Sequence, residues 1–307
     1  MLFVYNFSKL NEIPLTYSQY VGMFQRIKLN NLFKSKTTVN KKYKLGLVLS
    51  GGGAKCLAHI GVLYYLRELG IKPDAIAATS GGSMVGGLYA SGTSLENIQD
   101  FFHDTDLFQW NNSSFWKHII KFKGIVDTVN FSPKLKEKLV HDDFSKTDID
   151  LFVVATDMEN AQEKVFNSGS ISQAVLASSA YPFIFTPVEI NGITYSDGGI
   201  LNHFPLDVIR EQCEHVIGIY VSPIRKYEKS DLQNAQQIAY RAMSLKGDKA
   251  ELQKLNDCDI AIFPQELTKF STFDTHPDKL FEIVDIGYRE ASKYHDQLIE
   301  LREKLSI

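Results

Sequence analysis

Ser80 lies in Ala78-Thr79-Ser80-Gly81-Gly82, between the apolar run Ala75-Ile76-Ala77-Ala78 and a stretch from Met84 to Ala90 that reads as a helix ending at Gly92. A serine among small residues at a strand-to-helix junction suits nucleophilic attack. The sharp turn holds Oγ clear of the backbone, and the helix N-terminus favours negative charge nearby. The pentapeptide fits the G-x-S-x-G pattern except at its first position, where Ala78 replaces Gly. Ser80 or Thr79 would serve equally well as a helix N-cap, so the pentapeptide alone leaves both readings open.

Gly51-Gly52-Gly53-Ala54-Lys55 follows the apolar run Leu45 to Leu49. Glycines there permit positive φ and leave backbone N–H groups unobstructed, as an oxyanion hole requires. A phosphate loop is a poorer match, because Lys55 follows Ala54 and precedes Cys56 instead of Ser or Thr. A dinucleotide fingerprint also fails, since Asp74 stands before the second strand and not after it. The third group is Asp197, followed by Gly198 and Gly199. A carboxylate beside two glycines is often only a turn residue. If the strands carrying Ser80 and Tyr195 lie close in one sheet, both side chains emerge at the edge where open α/β sheets place their ligands.

The elements that must position these groups alternate. From Lys44 onward short apolar runs alternate with segments of helical period, the pattern of a parallel sheet with covering helices. Leu45–Leu49, Ala75–Ala78, Leu151–Thr156, Val216–Val221 and Ile260–Phe263 read as strands. His59–Leu69 reads as a helix closed by Gly70, Ile171–Ala177 as a short helix, and Thr93 with Glu96 as a capping box. Asn191-Gly192 between two short β-rich runs is a hairpin signal, and Pro205 suits a helix start. From Pro277 onward Val284, Ala291, Tyr294, Leu298, Leu301 and Leu305 recur mostly at spacings of 3 and 4, which predicts a long terminal helix. Its stripe packs on its own domain or pairs with a second copy, so a homodimer is an open alternative.

At 307 residues, with 44% hydrophobic and 22% charged residues, the chain suits one catalytic domain with extensions. Cys56, Cys213 and Cys258 are odd in number and widely spaced, which argues against a disulfide framework and a thiolate zinc site and fits a reducing cytoplasm. No run reaches the roughly 18 apolar residues of a spanning helix, and the apolar start Met1-Leu2-Phe3-Val4-Tyr5 is too short for a signal-peptide core. Residues 1–44 hold eight Lys or Arg against Glu12 alone, a net of +7, so the remainder carries −10. That basic stretch, with Phe24, Ile27 and Phe33, reads either as a solvated arm or as a peripheral contact with an anionic membrane. Nucleic acid is a poorer match as a partner, because the rest of the chain would repel phosphates.

Several blocks in order carry a resemblance: Gly51-Gly52-Gly53-Ala54-Lys55, Ala58-His59-Ile60-Gly61-Val62-Leu63, Thr79-Ser80-Gly81-Gly82-Ser83, Ala177-Ser178-Ser179-Ala180-Tyr181-Pro182 and Asp197-Gly198-Gly199-Ile200-Leu201-Asn202. Together they resemble the patatin-like phospholipase family, most nearly its bacterial cytoplasmic members, from about Lys44 to the C-terminus. The resemblance implies a three-layer α/β/α fold with a mostly parallel central sheet, and a Ser-Asp dyad without histidine. It implies Ser80 as nucleophile, Asp197 as proton acceptor and the Gly51, Gly52 and Gly53 backbone as oxyanion hole. Lys55, Ala78, Gly81, Gly82, Gly198 and Gly199 are the elbow and supporting positions. It implies no cofactor and no metal. Cys56 stands where the family's loop ends in Gly, so a Cβ there would disturb the hole if positive φ is required.

The expected organisation is a basic extension over 1–43 and an acyl hydrolase domain over 44–307, with catalytic elements within 44–221 and a helical part over 230–307. The expected activity is cleavage of fatty-acyl lipid esters, of lipase or phospholipase A type, through an acyl-enzyme at Ser80. Asp197, a weak base at its reference pKa of about 3.9, needs burial to raise its basicity. A Ser-Asp-His order with His203 or His215 is the competing arrangement, and His59 reads as a hydrogen-bonded core residue. Asp142, Asp143 and Asp157 lack the clustering of a metal site. Phe101, Phe102, Phe108, Trp110, Phe115, Trp116 and Phe122 form either a lid or acyl channel or ordinary core. The alternatives in function are a non-catalytic interaction protein on the same fold and a hydrolase of small esters or thioesters.

Overall fold

The computed structural model describes residues 41–104, 128–182, 184–272 and 276–305. In chain order its strands are β1 (Tyr43–Leu49), β2 (Ala75–Thr79), β3 (Asp150–Asp157), β4 (Gln162–Phe166), β5 (Val188–Ile190), β6 (Ile193–Asp197), β7 (Cys213–Ile219) and β8 (Ile260–Ile262). They form one sheet in the order β5-β6-β3-β2-β1-β7-β8, with β4 paired to β3 off this path. The β3-β2-β1-β7-β8 pairings are parallel, and β4, β5 and β6 add antiparallel ones.

The parallel strands are apolar on both faces, and the sheet is covered on both. Leu45, Leu47, Leu49, Ile76 and Ala78 enter one core with Leu57, Ile60 and Leu63 of α1 (Leu57–Glu68) and Val85 and Leu88 of α2 (Gly81–Ala90). Val48, Ala75 and Ala77 enter a second core with Phe204, and with Leu206 and Ile209 of a short helix over Leu206–Ile209. This is the three-layer arrangement, with period-2 alternation sending each strand's side chains to opposite layers.

Local signals place most elements within a few residues. Asn191 and Gly192 both take positive φ, 53° and 79°, and join β5 to β6 with Ile190 opposite Ile193, as the hairpin signal requires. The expected helix cap is displaced by one residue. Ser94 Oγ accepts from Asn97 N at 3.2 Å to open the helix Leu95–Asp104, while Thr93 Oγ1 donates to the Lys138 carbonyl at 2.7 Å. Thr93 is diverted because its hydroxyl has a long-range carbonyl partner, which spacing alone does not reveal. Phe101 and Phe102 of that helix are buried core residues in edge-to-face contact. Phe108, Trp110, Phe115, Trp116 and Phe122 lie outside the described residues, as do residues 1–40 of the basic stretch.

The terminal stripe is carried by two helices, Pro277–Ser292 and His295–Lys304, divided at Lys293 and Tyr294. Tyr294 leaves helical geometry (φ −99°, ψ 17°), and nothing in the residue types there marks the break. Val284, Ala291, Leu298, Leu301 and Leu305 are all buried within the chain. The first of these helices crosses α1 at close range through glycines. A Cβ on Gly287 would strike the Ala58 backbone, and one on Gly61 would strike the backbone of Val284. Among the described residues no helix is long and apolar enough to cross a membrane.

Candidate active site

The register of β3 brings the two candidate reacting groups together. Thr79, the last residue of β2, pairs with Val154, and Asp197, the last residue of β6, pairs with Ala155. Because β2 runs parallel and β6 antiparallel to β3, the two strand ends approach each other along it. Ser80 Oγ donates to Asp197 Oδ2 at 2.6 Å.

Ser80 is the junction between β2 and α2 and holds φ 54°, ψ −131°, a backbone conformation that disfavours a side chain. Several bonds over-determine it. Its N–H donates to Ser178 Oγ at 2.8 Å, and Ser178 Oγ donates in turn to the Val154 carbonyl. The Ser80 carbonyl accepts from Ser83 N at 2.8 Å and Ser83 Oγ at 2.6 Å. Gly81 and Gly82 follow because the helix start is pressed against its neighbours. A Cβ on Gly81 would lie 2.8 Å from Cys56 Sγ, and one on Gly82 would strike the Ser50 carbonyl. Ala78, wholly buried in β2, fits without a glycine.

Asp197 is 2% exposed. Burial pushes its carboxyl up to about 6, against the opposing pull of hydrogen bonds from Ser80 Oγ and from the Gly199 N–H, which donates to Oδ1 at 2.7 Å. A carboxylate so raised is a better proton acceptor than a solvated one. Its backbone is fixed by its own N–H to the Ala180 carbonyl (3.1 Å) and by Thr156 Oγ1 to its carbonyl (2.8 Å). Gly198 admits no side chain, since a Cβ would strike the Val154 carbonyl.

The glycine loop stands beside this pair. Gly53 takes φ 57°, and a side chain there would strike Thr272. The three glycines are not equivalent. The Gly51 N–H already donates to the His203 carbonyl at 3.0 Å, so Gly51 supports the loop and offers no donor of its own. Among the described residues no partner is found for the N–H of Gly52 or Gly53. Cys56 has φ −64°, ψ −15°, ordinary right-handed backbone that needs no glycine, and its buried thiol donates to the Ser50 carbonyl at 3.6 Å. Lys55 is buried at the start of the turn that leads into α1.

Neither candidate histidine stands between Ser80 and Asp197, which touch directly. His203 packs its ring against Gly51 and Gly199, and burial lowers its pKa to about 4. His215 pairs with Asp259 at the far end of β7. His59 Nε2–H donates to the Ser50 carbonyl at 2.9 Å inside the core. Ser178 and Ala180 were not legible as site residues. Both come from the Ala177-Ser178-Ser179-Ala180 block, and what assigns them is the partner each meets, Ser80 N–H and Asp197 N–H.

The mostly parallel sheet, covered on both faces, defines a three-layer α/β protein. A family model described as patatin-like phospholipase matches residues 47–209, more than half of the chain, and the chain belongs to that family. It is 34% identical over 178 residues to a patatin-like phospholipase domain-containing protein of Caenorhabditis elegans, covering 54% of this chain and 12% of that one. It is 29% identical over 237 residues to a lysophospholipase NTE1 of Candida glabrata, covering 72% of this chain and 14% of that one. The chain thus spans only a small part of the length of these relatives. Among solved structures, VipD of Legionella pneumophila shares the fold with a TM-score of 0.50 at 17% identity, covering 87% of this chain and 69% of that one.

Proposed function

We propose that the protein is a serine acyl hydrolase that cleaves fatty-acyl esters of lipids through Ser80 and Asp197. The observation that carries this reading is the 2.6 Å hydrogen bond from Ser80 Oγ, on a positive-φ turn, to a carboxylate that burial has made more basic. Family membership and relatives named as lysophospholipases support a lipid substrate.

Ser80 Oγ attacks the ester carbonyl carbon while its proton passes to Asp197. Negative charge gathers on the former carbonyl oxygen. In this reading the N–H groups of Gly52 and Gly53, with Gly81 N–H at the start of α2, are the donors that receive it, each worth about 3 kcal/mol in such a role. Collapse breaks the bond to the alcohol, which leaves with the proton from Asp197. Water then gives a proton to Asp197 and attacks the acyl carbon, and release of the fatty acid returns the proton to Ser80 Oγ. Residues 44–307 carry this chemistry, and the basic stretch 1–43 is suited to contact with an anionic lipid surface.

The test is fatty-acid release from mixed phospholipid, lysophospholipid and neutral-lipid vesicles by the native protein and by Ser80→Ala. Release that vanishes in Ser80→Ala supports the mechanism and shows the preferred lipid. Release that survives the substitution sinks it, and no release by folded native protein favours an interaction protein on the same fold.

A further inference from the structure

Behind the reacting pair, one peptide group is gripped from both sides. The His203 carbonyl accepts the Gly51 N–H at 3.0 Å. The Phe204 N–H, in the same peptide plane, donates to Glu251 Oε2 at 2.9 Å. Glu251 belongs to the last turn of the helix Ala235–Lys254 and is only 5% exposed. Lys254 seats it, with Nζ 3.2 Å from Glu251 Oε2, and donates as well to the Phe204 carbonyl (3.1 Å), Asn202 Oδ1 (2.8 Å) and Asp207 Oδ1 (3.0 Å). The Asn202 carbonyl accepts from Thr79 Oγ1 at 2.9 Å, one residue before Ser80. Segment 202–204 therefore ties the serine turn and the glycine loop to the same helix end.

We propose that Glu251, held by Lys254, is a positioning residue for acyl transfer: through the His203–Phe204 peptide group it fixes Gly51, and with Gly51 the donors of Gly52 and Gly53. The proposal rests on the reading of that loop as the oxyanion hole. A charged acceptor on the N–H side of a peptide polarises it and strengthens the bond its carbonyl accepts, here the one from Gly51. Oxyanion donors act only when they are preorganised at the place where charge develops, so a small displacement of Gly51 costs rate without costing binding. A buried carboxylate is also expensive to keep for packing alone. Burial does raise the Glu251 carboxyl, while Lys254 and the backbone N–H groups hold it down.

The test compares Glu251→Ala and Glu251→Gln with the native protein, counting competent sites by complete fluorophosphonate labelling of Ser80. Hydrogen exchange is followed on the peptide that contains Gly51 to Gly53. Glu251→Ala is expected to lower kcat per labelled site about 10-fold while KM stays within about twofold, the cost of one hydrogen bond to a charged group. Exchange at Gly51 rises, and exchange in β1 and β2 is unchanged. Glu251→Gln, which keeps an acceptor without the charge, is expected to recover kcat to within about threefold of native. Native kcat per site together with native exchange at Gly51 in folded Glu251→Ala overturns the proposal. If Glu251→Ala does not fold, Glu251→Gln decides: kcat lowered about two- to threefold together with raised exchange at Gly51 supports the proposal, and native values of both overturn it. A native protein whose Ser80 takes no label overturns the nucleophile reading instead, and exchange at Gly51 then reports the positioning link by itself.

Discussion

Ser80 and Asp197 stand 117 residues apart in the chain, yet their side chains meet at 2.6 Å because Val154 and Ala155, adjacent residues of β3, pair with the ends of both carrier strands. Both side chains are thus referenced to one strand and touch with no histidine between them. The same contact leaves the Asp197 carboxylate out of water, and several consequences can be measured.

Asp197→Asn is expected to lower kcat by about 10² to 10⁴, the usual range for loss of a general base. It is also expected to stabilise the fold. The amide can accept from Gly199 N–H and donate to Ser80 Oγ, so the geometry survives while a buried charge is removed. With the carboxyl raised from 3.8 to about 6, ionisation at pH 7 costs up to about 3 kcal/mol, and a higher Tm for Asp197→Asn at pH 7 is the outcome that checks it. A lower Tm would mean that the charge is compensated by groups other than those described.

The same shift fixes a pH dependence in two opposite senses. In the proposed mechanism activity requires the ionised carboxylate, so kcat/KM is expected to rise with pH and level off above about 6. Stability moves the other way. The native state binds this proton more tightly than the unfolded chain, so this group's contribution to stability is present at low pH and is lost as pH rises through about 6. His203 and His59, lowered to about 4 by burial, are neutral near pH 6 and give no limb of their own in kcat/KM. The acid limb should therefore persist in His203→Asn, measured as initial rates across pH 4.5 to about 8. Its disappearance would restore histidine to the mechanism.

Much of this was legible in the chain. The alternation of apolar runs and helical periods marks the sheet, because both its faces are buried, and Ser80, Asp197 and the glycine run stand out by residue type beside strand ends. The antiparallel strands were less visible. β4 reads Gln-Glu-Lys-Val-Phe and is only half-buried, so it lacks an apolar signature and takes its place from pairing with β3. The helix Ala235–Lys254 is similarly polar, and Glu251 within it looks like any solvated glutamate until the Phe204 N–H is seen beside it. The unequal roles of Gly51, Gly52 and Gly53 follow from the His203 carbonyl, a partner 152 positions away that no local pattern announces.

Backbone strain at Ser80 predicts a stability difference between two inactive variants. Ser80→Ala and Ser80→Gly both remove the hydroxyl and leave Asp197 Oδ2 without its donor, so that loss cancels between them. Only glycine relaxes φ 54°, ψ −131°. Ser80→Gly is expected to be the more stable by about 1 kcal/mol, the strain relieved less the entropy that glycine costs in the unfolded chain. Denaturant midpoints at equal m-value would show it. Equal midpoints would mean that the turn is held without cost.

Ser178 carries the final prediction, because its hydroxyl joins the serine turn to β3. It accepts the Ser80 N–H and donates to the Val154 carbonyl, and it is wholly buried. Ser178→Ala leaves both backbone groups unpaired in the core, with an expected cost of about 1–3 kcal/mol in stability. Freed from this bond, Ser80 can turn its Oγ away from Asp197. The loss should therefore fall on kcat as well as on Tm, while Ser178→Thr, which keeps the hydroxyl, retains the larger part of both if the added methyl is accommodated. A Ser178→Ala protein that is less stable but has native kcat per labelled site would show that Ser83 and the α2 start hold the nucleophile without it.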